Sequence, residues 1–463
     1  MDRRVGLALA PLLACSVENP LFMLGSSDGG GGGTTVVTSS VSTSTSAPTT
    51  SSASMEGSGE GGTMTGSTTG PSGTVTGGTV TGGTVTGESG TTCPEGQEGC
   101  GPPVDPCVLG EGCSGAADWL VRSGNPAIQR GSDAAMLADG GVAVVGSFAG
   151  QIGVGDMVID AAFDPLQGDG YLLRYSADGQ LLWLQKFGGA SVQWATTVTG
   201  MTGARIGVGG FFSGELIVGG KVIAQPGNNS GFVGVFDGDG ALAWAMPFGA
   251  GDVYVRDLAA TADGGLVVVG DFVGVLALGP KKYMSADLDL FVARFDVNGM
   301  VLWSAAPHGA FADGARGVAV GPDGSTTVTG YFSTALDLGG DVLNTHGGTD
   351  VFVARYGPDG APVGSRGLGG PEADHGMAVA IGPDGRTVIA GLHGAGFDVG
   401  DGPFQTGMDG FDAFFAVFEP GGGLAWAHGG VPVASFDLGV DIDASGRVVA
   451  LTRAVSVETD FGG

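Results

Sequence analysis

Positive charge is the scarcest property of this chain: 18 Lys and Arg stand against 47 Asp and Glu, for a net charge of −29. Such a surface repels phosphate backbones, which argues against nucleic acid as a partner. It also repels anionic lipid headgroups, so any hold on a membrane has to come from a covalent anchor rather than a basic patch. Long apolar runs are missing too. None reaches the roughly 18 residues that a spanning helix needs. Cysteine is absent from residues 119–463, which removes disulfides and thiolate metal sites from three quarters of the chain. That stretch also lacks sustained helical periodicity and any HExxH metal motif.

Glycine is what the chain has in excess. There are 95, against an average near 7% of residues. They fall into two different patterns, a low-complexity segment and a set of evenly spaced turns.

The chain opens with Asp2, Arg3 and Arg4 ahead of an apolar run at 5–13, the layout of a short secretory signal. The run ends in Leu12-Leu13-Ala14-Cys15. These four residues resemble the bacterial lipobox. The resemblance implies cleavage before Cys15 and acylation of its thiol, with residues 1–14 as the signal peptide. Ser16 stands where inner-membrane lipoproteins often carry Asp, so the resemblance favours the outer membrane. The alternative is a plain secretory signal.

Residues 15–92 are expected to be a disordered tether. The body of it, 26–92, is Gly, Ser and Thr with little else, including the glycines 29–33 and three copies of Thr-Val-Thr-Gly starting at Thr74, Thr79 and Thr84. It cannot bury enough apolar area to offset its ordering entropy. A flexible chain of this length averages roughly 45 Å end to end. Gly25-Ser26-Ser27-Asp28-Gly29 fits GxSxG, and Gly57-Ser58-Gly59-Glu60-Gly61-Gly62 fits GxGxxG. Both motifs need a strand before and a helix after, and a Gly/Ser tract supplies neither.

Residues 93–117 are a small Cys-rich segment. With Cys15 assigned to a lipid, the remaining Cys93, Cys100, Cys107 and Cys113 form an even set. In an oxidising compartment they are expected to make two disulfides, whose pairing stays open. The alternative, a zinc site, wants close CxxC pairs, which this even spacing does not offer.

From 118 to 463 the chain repeats itself. Tyr171-Leu172-Leu173-Arg174-Tyr175 precedes Trp183. The pattern recurs as Phe232-Val233-Gly234-Val235-Phe236 before Trp244, and as Phe291-Val292-Ala293-Arg294-Phe295 before Trp303. A fourth copy, Phe352-Val353-Ala354-Arg355-Tyr356, has Gly364 in the Trp place, and a fifth, Phe414-Phe415-Ala416-Val417-Phe418, precedes Trp426. Counted from Trp119 the intervals are 64, 61, 59, 61 and 62 residues. Between these hairpins lie Asp-Gly turns flanked by apolar runs, at Asp139-Gly140, Asp263-Gly264, Asp323-Gly324 and Asp384-Gly385. Asp-Gly between apolar runs is a hairpin signal because the turn needs positive φ. Each repeat thus supplies about four antiparallel strands.

The strand pattern identifies the architecture. Residues 291, 293 and 295 share one face, aromatic, small, aromatic, and the opposite face is also apolar. Sheets buried on both faces have to be stacked. Four-stranded sheets repeated radially achieve that in an all-β propeller. The small middle residue is expected to let a neighbouring blade approach. A β-solenoid would need shorter coils. The pattern of Trp, Gly-Gly, Asp-Gly, Val-x-Val-x-Gly-x-Phe and Asp-x-Phe-Val-Ala-Arg-Phe resembles the bacterial SBBP repeat, a propeller-type repeat of secreted and cell-surface proteins. The resemblance implies a structural repeat and brings no catalytic residues with it.

About six blades are expected, the last incomplete. The sixth ends in Ser456-Val457-Glu458-Thr459-Asp460-Phe461-Gly462-Gly463, which matches Ser333 to Gly340. The Trp119 strand is expected to close the ring by pairing with the C-terminal strands. The alternative is a fragment of a larger ring, of seven blades for example.

Chemistry is thinly signalled. The five His, at 308, 346, 375, 393 and 428, show no metal spacing and are expected in loops or on the surface. Asp237-Gly238-Asp239 and Asp287-Leu288-Asp289 could be calcium loops, but they lack EF-hand ligand spacing and are expected to be turns. The repeating Trp residues are expected in the blade core. Trp194 lies off the period and is a candidate exposed contact. No catalytic, cofactor-binding or metal residue is assigned. The leading functional expectation is a lipid-anchored cell-surface protein that displays a propeller to a protein or glycan ligand, or in a structural role. The alternative is an extracytoplasmic hydrolase or lactonase-like enzyme that uses the propeller channel.

Overall fold

A computed structural model describes residues 22–25, 34–38, 120–123 and 129–454, the last with short breaks at 155–156, 162–167, 225, 341, 401, 405–410 and 444–446. Among these residues the chain is all-β apart from one short 3-10 turn, Thr202–Ala204. It is a β-propeller of four-stranded antiparallel blades. Blade one comprises Gln129–Met136, Val142–Phe148, Asp169–Tyr175 and Leu181–Phe187. Blade two comprises Gln193–Gly200, Ile206–Phe212, Ser230–Phe236 and Leu242–Phe248. Blade three comprises Asp252–Ala260, Leu266–Leu278, Lys281–Phe295 and Val301–Ala305. Blade four comprises Gly314–Val320, Thr326–Phe332, Asp350–Tyr356 and Pro362–Leu368.

Blade five begins with His375–Ile381, Thr387–His393 and Asp412–Phe418. Its fourth strand is the first half of Leu424–Ile442, which then crosses to become the first strand of blade six and pairs with Val448–Ala454. The Asp-Gly turns fall where the sequence puts them, with Gly140, Gly264, Gly324 and Gly385 at φ between 77° and 84°.

The stacking follows from the two-faced apolar strands. Val233 and Val235 of blade two share a core with Phe291, Ala293 and Phe295 of blade three. The opposite face of blade three, Val267, Val269 and Val292, shares the next core with Phe352, Ala354 and Tyr356 of blade four. In blades two to five the aromatic-small-aromatic face thus looks back at the preceding blade. The role of the small residue differs from expectation at Gly234. An added Cβ there would meet Ala245 of the same blade at 3.4 Å, an ordinary contact, and no atom of a neighbouring blade comes nearer. First strands pack on first strands from blade to blade, which makes them the inner ones.

Three of the repeating Trp residues, Trp183, Trp244 and Trp303, pack at the margin of the inter-blade cores and act also as latches. Trp183, Trp244 and Trp303 each stand on an outer strand, half buried, and reach the turn between the third and fourth strands of the next blade. Trp183 Nε1 donates to the Gly238 carbonyl, Trp244 to Val297 and Trp303 to Pro358, each at 3.0 Å. The indole then lies flat on the turn glycine. At Gly299, with φ 83°, an added Cβ would sit 2.9 Å from Trp244 Cε3, and the same holds for Gly360 under Trp303. Positive φ and the ring overhead both require glycine.

The N-terminal pieces correct one expectation. Leu120–Ser123 does not pair with the C-terminal strands. It pairs with Thr34–Thr38, which pairs with Phe22–Gly25, and all three join the hairpin of blade one, Gln151–Val154 and Met157–Asp160, in one sheet. Thr34-Thr35-Val36-Val37-Thr38 is a β-branched run, which gives it strand propensity inside an otherwise Gly/Ser tether. The rest of the tether, Cys15, and Cys93, Cys100, Cys107 and Cys113 lie outside the described residues, as does Trp119.

Trp244→Ala is expected to lower unfolding free energy by about 2–3 kcal/mol, from lost indole packing and an orphaned carbonyl. Trp426, 36% exposed and without a turn carbonyl beside it among the described residues, is expected to cost under about 1 kcal/mol on the same change. Urea denaturation of the two variants checks this; equal losses would contradict the latch.

Candidate functional site

The blades are alike at most positions and differ at one. One residue before the aromatic that ends each second strand, the cross-strand pairs are Arg130 with Ser147, Trp194 with Phe211, Tyr254 with Asp271, Gly314 with Tyr331, and His375 with Leu392. They stand at the start of the inner strands, so they line the mouth of the propeller. A β-bulge follows in every first strand. Bulges re-aim side chains, and here the bulge residue is Arg256 in blade three and Arg316 in blade four.

These side chains touch in sequence around the mouth. The Arg130 guanidinium lies 6.0 Å from the Trp194 ring, and Trp194 lies 5.5 Å from Phe211. Phe211 meets Tyr254 edge-on at 4.9 Å, and Arg256 lies over Tyr254 at 5.2 Å. Arg256 Nε donates to Asp271 at 2.7 Å, and Arg316 Nη1 donates to both oxygens of the same carboxylate, at 2.7 and 2.8 Å. Arg316 lies 5.0 Å from the Tyr331 ring, which lies 4.7 Å from His375. His375 stacks at 5.8 Å on Phe411, and its Nε2 is 3.0 Å from Thr349 Oγ1. Five blades thus contribute to one continuous arc of flat rings and guanidinium groups.

The electrostatics of this arc are unusual for so acidic a chain. Asp271 is fully buried between two guanidinium groups that remain partly open, with side-chain exposures of 34% for Arg256 and 19% for Arg316. Two cations share one anion, and Arg130 adds a third cation. Burial, together with Arg316 nearby, pushes the His375 imidazole below its ordinary value, so it is a neutral ring at pH 7. The mouth offers aromatic faces, hydroxyls and three guanidinium groups to a ligand, with Asp252 beside Tyr254 and Asp313 near Tyr331 as further carboxylates.

Deeper on the inner strands the carboxylates have structural work. Asp133 accepts from Ala134 N at 2.7 Å and from Val198 N of blade two at 2.8 Å. Asp257 accepts from Leu258 N and from Val318 N of blade four, both at 2.8 Å, and from Thr197 Oγ1 at 3.1 Å. Each staples an inner strand to the next. Burial is the largest influence on both, pushing Asp133 up to about 6 and Asp257, which also feels Asp133, up to about 7. A second set holds loops. Asp313 accepts from Ser333 N and Gly309 N, and Asp374 from Gly394 N and Gly370 N. Burial raises them to about 6 and about 7.

The histidines do not converge. His393 corrects the expectation of a loop or surface residue. It takes the place held by Phe148, Phe212, Phe272 and Phe332 at the end of the second strand, and it is fully buried. Its ring packs on Phe397, Phe404 and Phe414. Gly430 N donates to Nε2 at 3.1 Å, so Nδ1 carries the proton and donates to the Gly394 carbonyl at 2.9 Å. His308 and His346 are exposed and His428 is half buried on an outer strand. His346 Nδ1 is 2.8 Å from Asp350. Among the described residues no three His, Cys, Asp or Glu come together as a metal site. Asp237 and Asp239 lie in the latch turn of blade two. Asp239 accepts from Ala241 N at 3.1 Å and Asp237 pairs with Arg205 at 3.2 Å. Asp287 and Asp289 correct the expectation of a turn, since they lie inside the third strand of blade three, Lys281–Phe295, where Ser285 Oγ donates to the Asp287 carbonyl at 2.7 Å.

Sequence reasoning singled out Trp194 at the mouth and missed Phe211, Tyr254, Arg256, Asp271, Arg316 and Tyr331. The signal that finds them is variation at a fixed repeat position, where the other positions are held by blade packing.

No protein-family model and no curated protein matches the chain. Among solved structures, a gluconolactonase from Xanthomonas campestris is similar at 14% identity over 72% of this chain and 89% of that one, with a TM-score of 0.33. The WD40 domain of Pan2 from Neurospora crassa is similar at 14% identity over 54% and 68%, with a TM-score of 0.26. Sqt1 from Chaetomium thermophilum is similar at 14% identity over 64% and 71%, with a TM-score of 0.26. Likenesses this distant do not bear on function; the propeller is read from the blades themselves.

The four raised carboxylates set a pH dependence. Their folded values lie above the ordinary carboxyl value, so the folded state holds more protons than the unfolded one between about pH 4 and pH 7. Stability therefore falls as pH rises through that window. Thermal melts are expected to show a higher Tm near pH 5 than near pH 7.5, with a shallower slope in Asp257→Asn. A Tm that climbs over this range would contradict the assignment.

Proposed function

We propose that this protein is a lipid-anchored, extracytoplasmic binding protein, held at the bacterial outer membrane or cell surface, whose propeller mouth takes an acidic glycan. The observation that carries the ligand reading is the arc of Trp194, Phe211, Tyr254, Tyr331 and His375 interleaved with Arg256 and Arg316. Flat rings stack on the apolar faces of pyranose units, and guanidinium groups match carboxylates in bidentate geometry. An arc that spans several blades suits an oligosaccharide better than a single small molecule. On a chain of net charge −29, Arg130, Arg256 and Arg316 are the local groups that would have to offset the general repulsion of an anion.

The anchor reading rests on the lipobox ending in Cys15, the Gly/Ser/Thr tether, the four following Cys and the resemblance of the repeats to those of surface proteins. The alternative of a hydrolase or lactonase has one observation to offer, the pair of raised carboxylates Asp133 and Asp257. Their oxygens are taken up by backbone N–H groups of adjacent blades, so they suit stapling better than acid–base work.

Calorimetric titration with uronate-containing oligosaccharides is expected to show binding that weakens about tenfold in Trp194→Ala or Tyr254→Ala. It should also weaken with added salt. Equal affinity for neutral and acidic oligosaccharides, or affinity unchanged in both variants, would sink the proposal. For the anchor, Cys15→Ser is expected to move the protein from the membrane to the soluble fraction.

A further inference from the structure

The latch that joins blades one to two, two to three and three to four is broken between blades four and five. Gly364 stands where Trp183, Trp244 and Trp303 stand elsewhere, and nothing lies within 4 Å of the place its Cβ would take. The third-strand arginine changes too. Arg174 and Arg294 both donate from Nη1 to the next blade's turn carbonyl, at 2.6 Å. Arg355 keeps the own-blade carboxylate that the other two also hold, Asp323 where they have Asp139 and Asp263, and adds Ser325 Oγ at 3.0 Å, but it makes no bond to the next turn carbonyl among the described residues. Its side chain is 41% exposed, against 8% and 13% for the other two. Both customary donors to the turn carbonyl of blade five, Pro420, are therefore gone.

Arg366 fills only part of the gap. It holds the position of Gln185, which bonds the Gly240 carbonyl at 2.8 Å beside Trp183. Arg366 likewise donates to the Gly422 carbonyl at 2.8 Å and lies 5.1 Å over the Phe418 ring. A cleft of about 440 Å³ remains between the blades, bordered by Arg355, Val363, Ser365, Arg366, Phe418 and Pro420. Ser365 Oγ is buried there with no hydrogen-bond partner. The cleft lies at the opposite end of the blades from the mouth.

We infer that this cleft is a binding site for an indole, which enters where the missing tryptophan would lie. The other junctions define the pose. The ring rests on the turn glycine, here Gly422, its N–H donates to the turn carbonyl, here Pro420, and the Arg366 guanidinium covers a face by cation–π contact. A tryptophan side chain of a partner chain and a free indole derivative share this chemistry. Binding here does not depend on the acidic-glycan reading.

The test is NMR titration of the isotopically labelled full chain with N-acetyltryptophanamide, its 1-methyl analogue, and a Trp-containing peptide. N-acetyltryptophanamide is expected to perturb Ser365, Arg366 and Phe418 and to saturate. The 1-methyl analogue, which has no N–H, is expected to bind about tenfold more weakly. Tighter binding by the peptide would identify a partner chain as the source, and equal binding a free indole. Gly364→Trp is expected to abolish binding and raise Tm; Gly364→Phe, smaller, serves if that variant does not fold. No saturable perturbation, perturbation elsewhere, equal binding of the methyl analogue, or binding that survives a folded Gly364 variant would overturn the site.

Discussion

Every blade in this protein is apolar on both faces, and that single fact dictates the rest. A four-stranded sheet with Val267 and Val269 buried on one side and Phe291 and Phe295 on the other has no solvated face to offer, so it needs a neighbour on each side. Hydrophobic burial supplies the drive but no register, because it is not directional. Register comes from polar devices at the ends of the junctions, indole latches at one–two, two–three and three–four and carboxylate staples at one–two and three–four. At the outer end the Trp ring lies on a left-handed glycine and donates to the turn carbonyl. At the inner end a carboxylate accepts the N–H of the adjacent blade. Both devices use groups that a pure apolar stack would leave unsatisfied.

This division of labour frees the mouth. Because stacking is fixed by the blade faces, the latches and the staples, the residues at the start of the inner strands are not needed for the fold. Their identities change from blade to blade, Arg130, Trp194, Tyr254, Gly314, His375, within a repeat that is otherwise held constant. The bulge that follows turns Arg256 and Arg316 onto their neighbours. Asp271, fully buried between them, fixes the two guanidinium groups at the cost of one charge and leaves their faces on Tyr254 and Tyr331.

The sequence made the scaffold legible and the site mostly not. The Trp interval, the Asp-Gly turns and the aromatic-small-aromatic strands sufficed for a propeller of four-stranded blades, because period and turn chemistry are local properties. Three things were not local. The Trp residues read as core because their spacing matches the repeat, and Trp183, Trp244 and Trp303 do pack on it, but their N–H partners are carbonyls of the next blade, 53 to 55 residues on. His393 read as a surface residue because a His rarely replaces Phe, and only Gly430 and Gly394 on either side of its ring make the exchange tolerable. Arg256 and Tyr331 come together only through stacking. Trp194 alone betrayed the mouth, since it broke the Trp period. Gly364 was visible as a gap in the pattern, but the cleft it opens depends also on Arg355 making no bond to the next turn.

Amide hydrogen exchange across the four latch turns tests the stacking account most directly. The turns are matched in their own hydrogen bonds: Gly240, Gly299, Gly360 and Gly422 each donate to the residue three before, at 2.8 to 3.0 Å. They differ in whether a Trp lies over them. The account predicts strong and similar protection at Gly240, Gly299 and Gly360, and protection lower by about one to two orders of magnitude at Gly422. Equal protection at all four would contradict the claim that the indole latch holds one blade to the next.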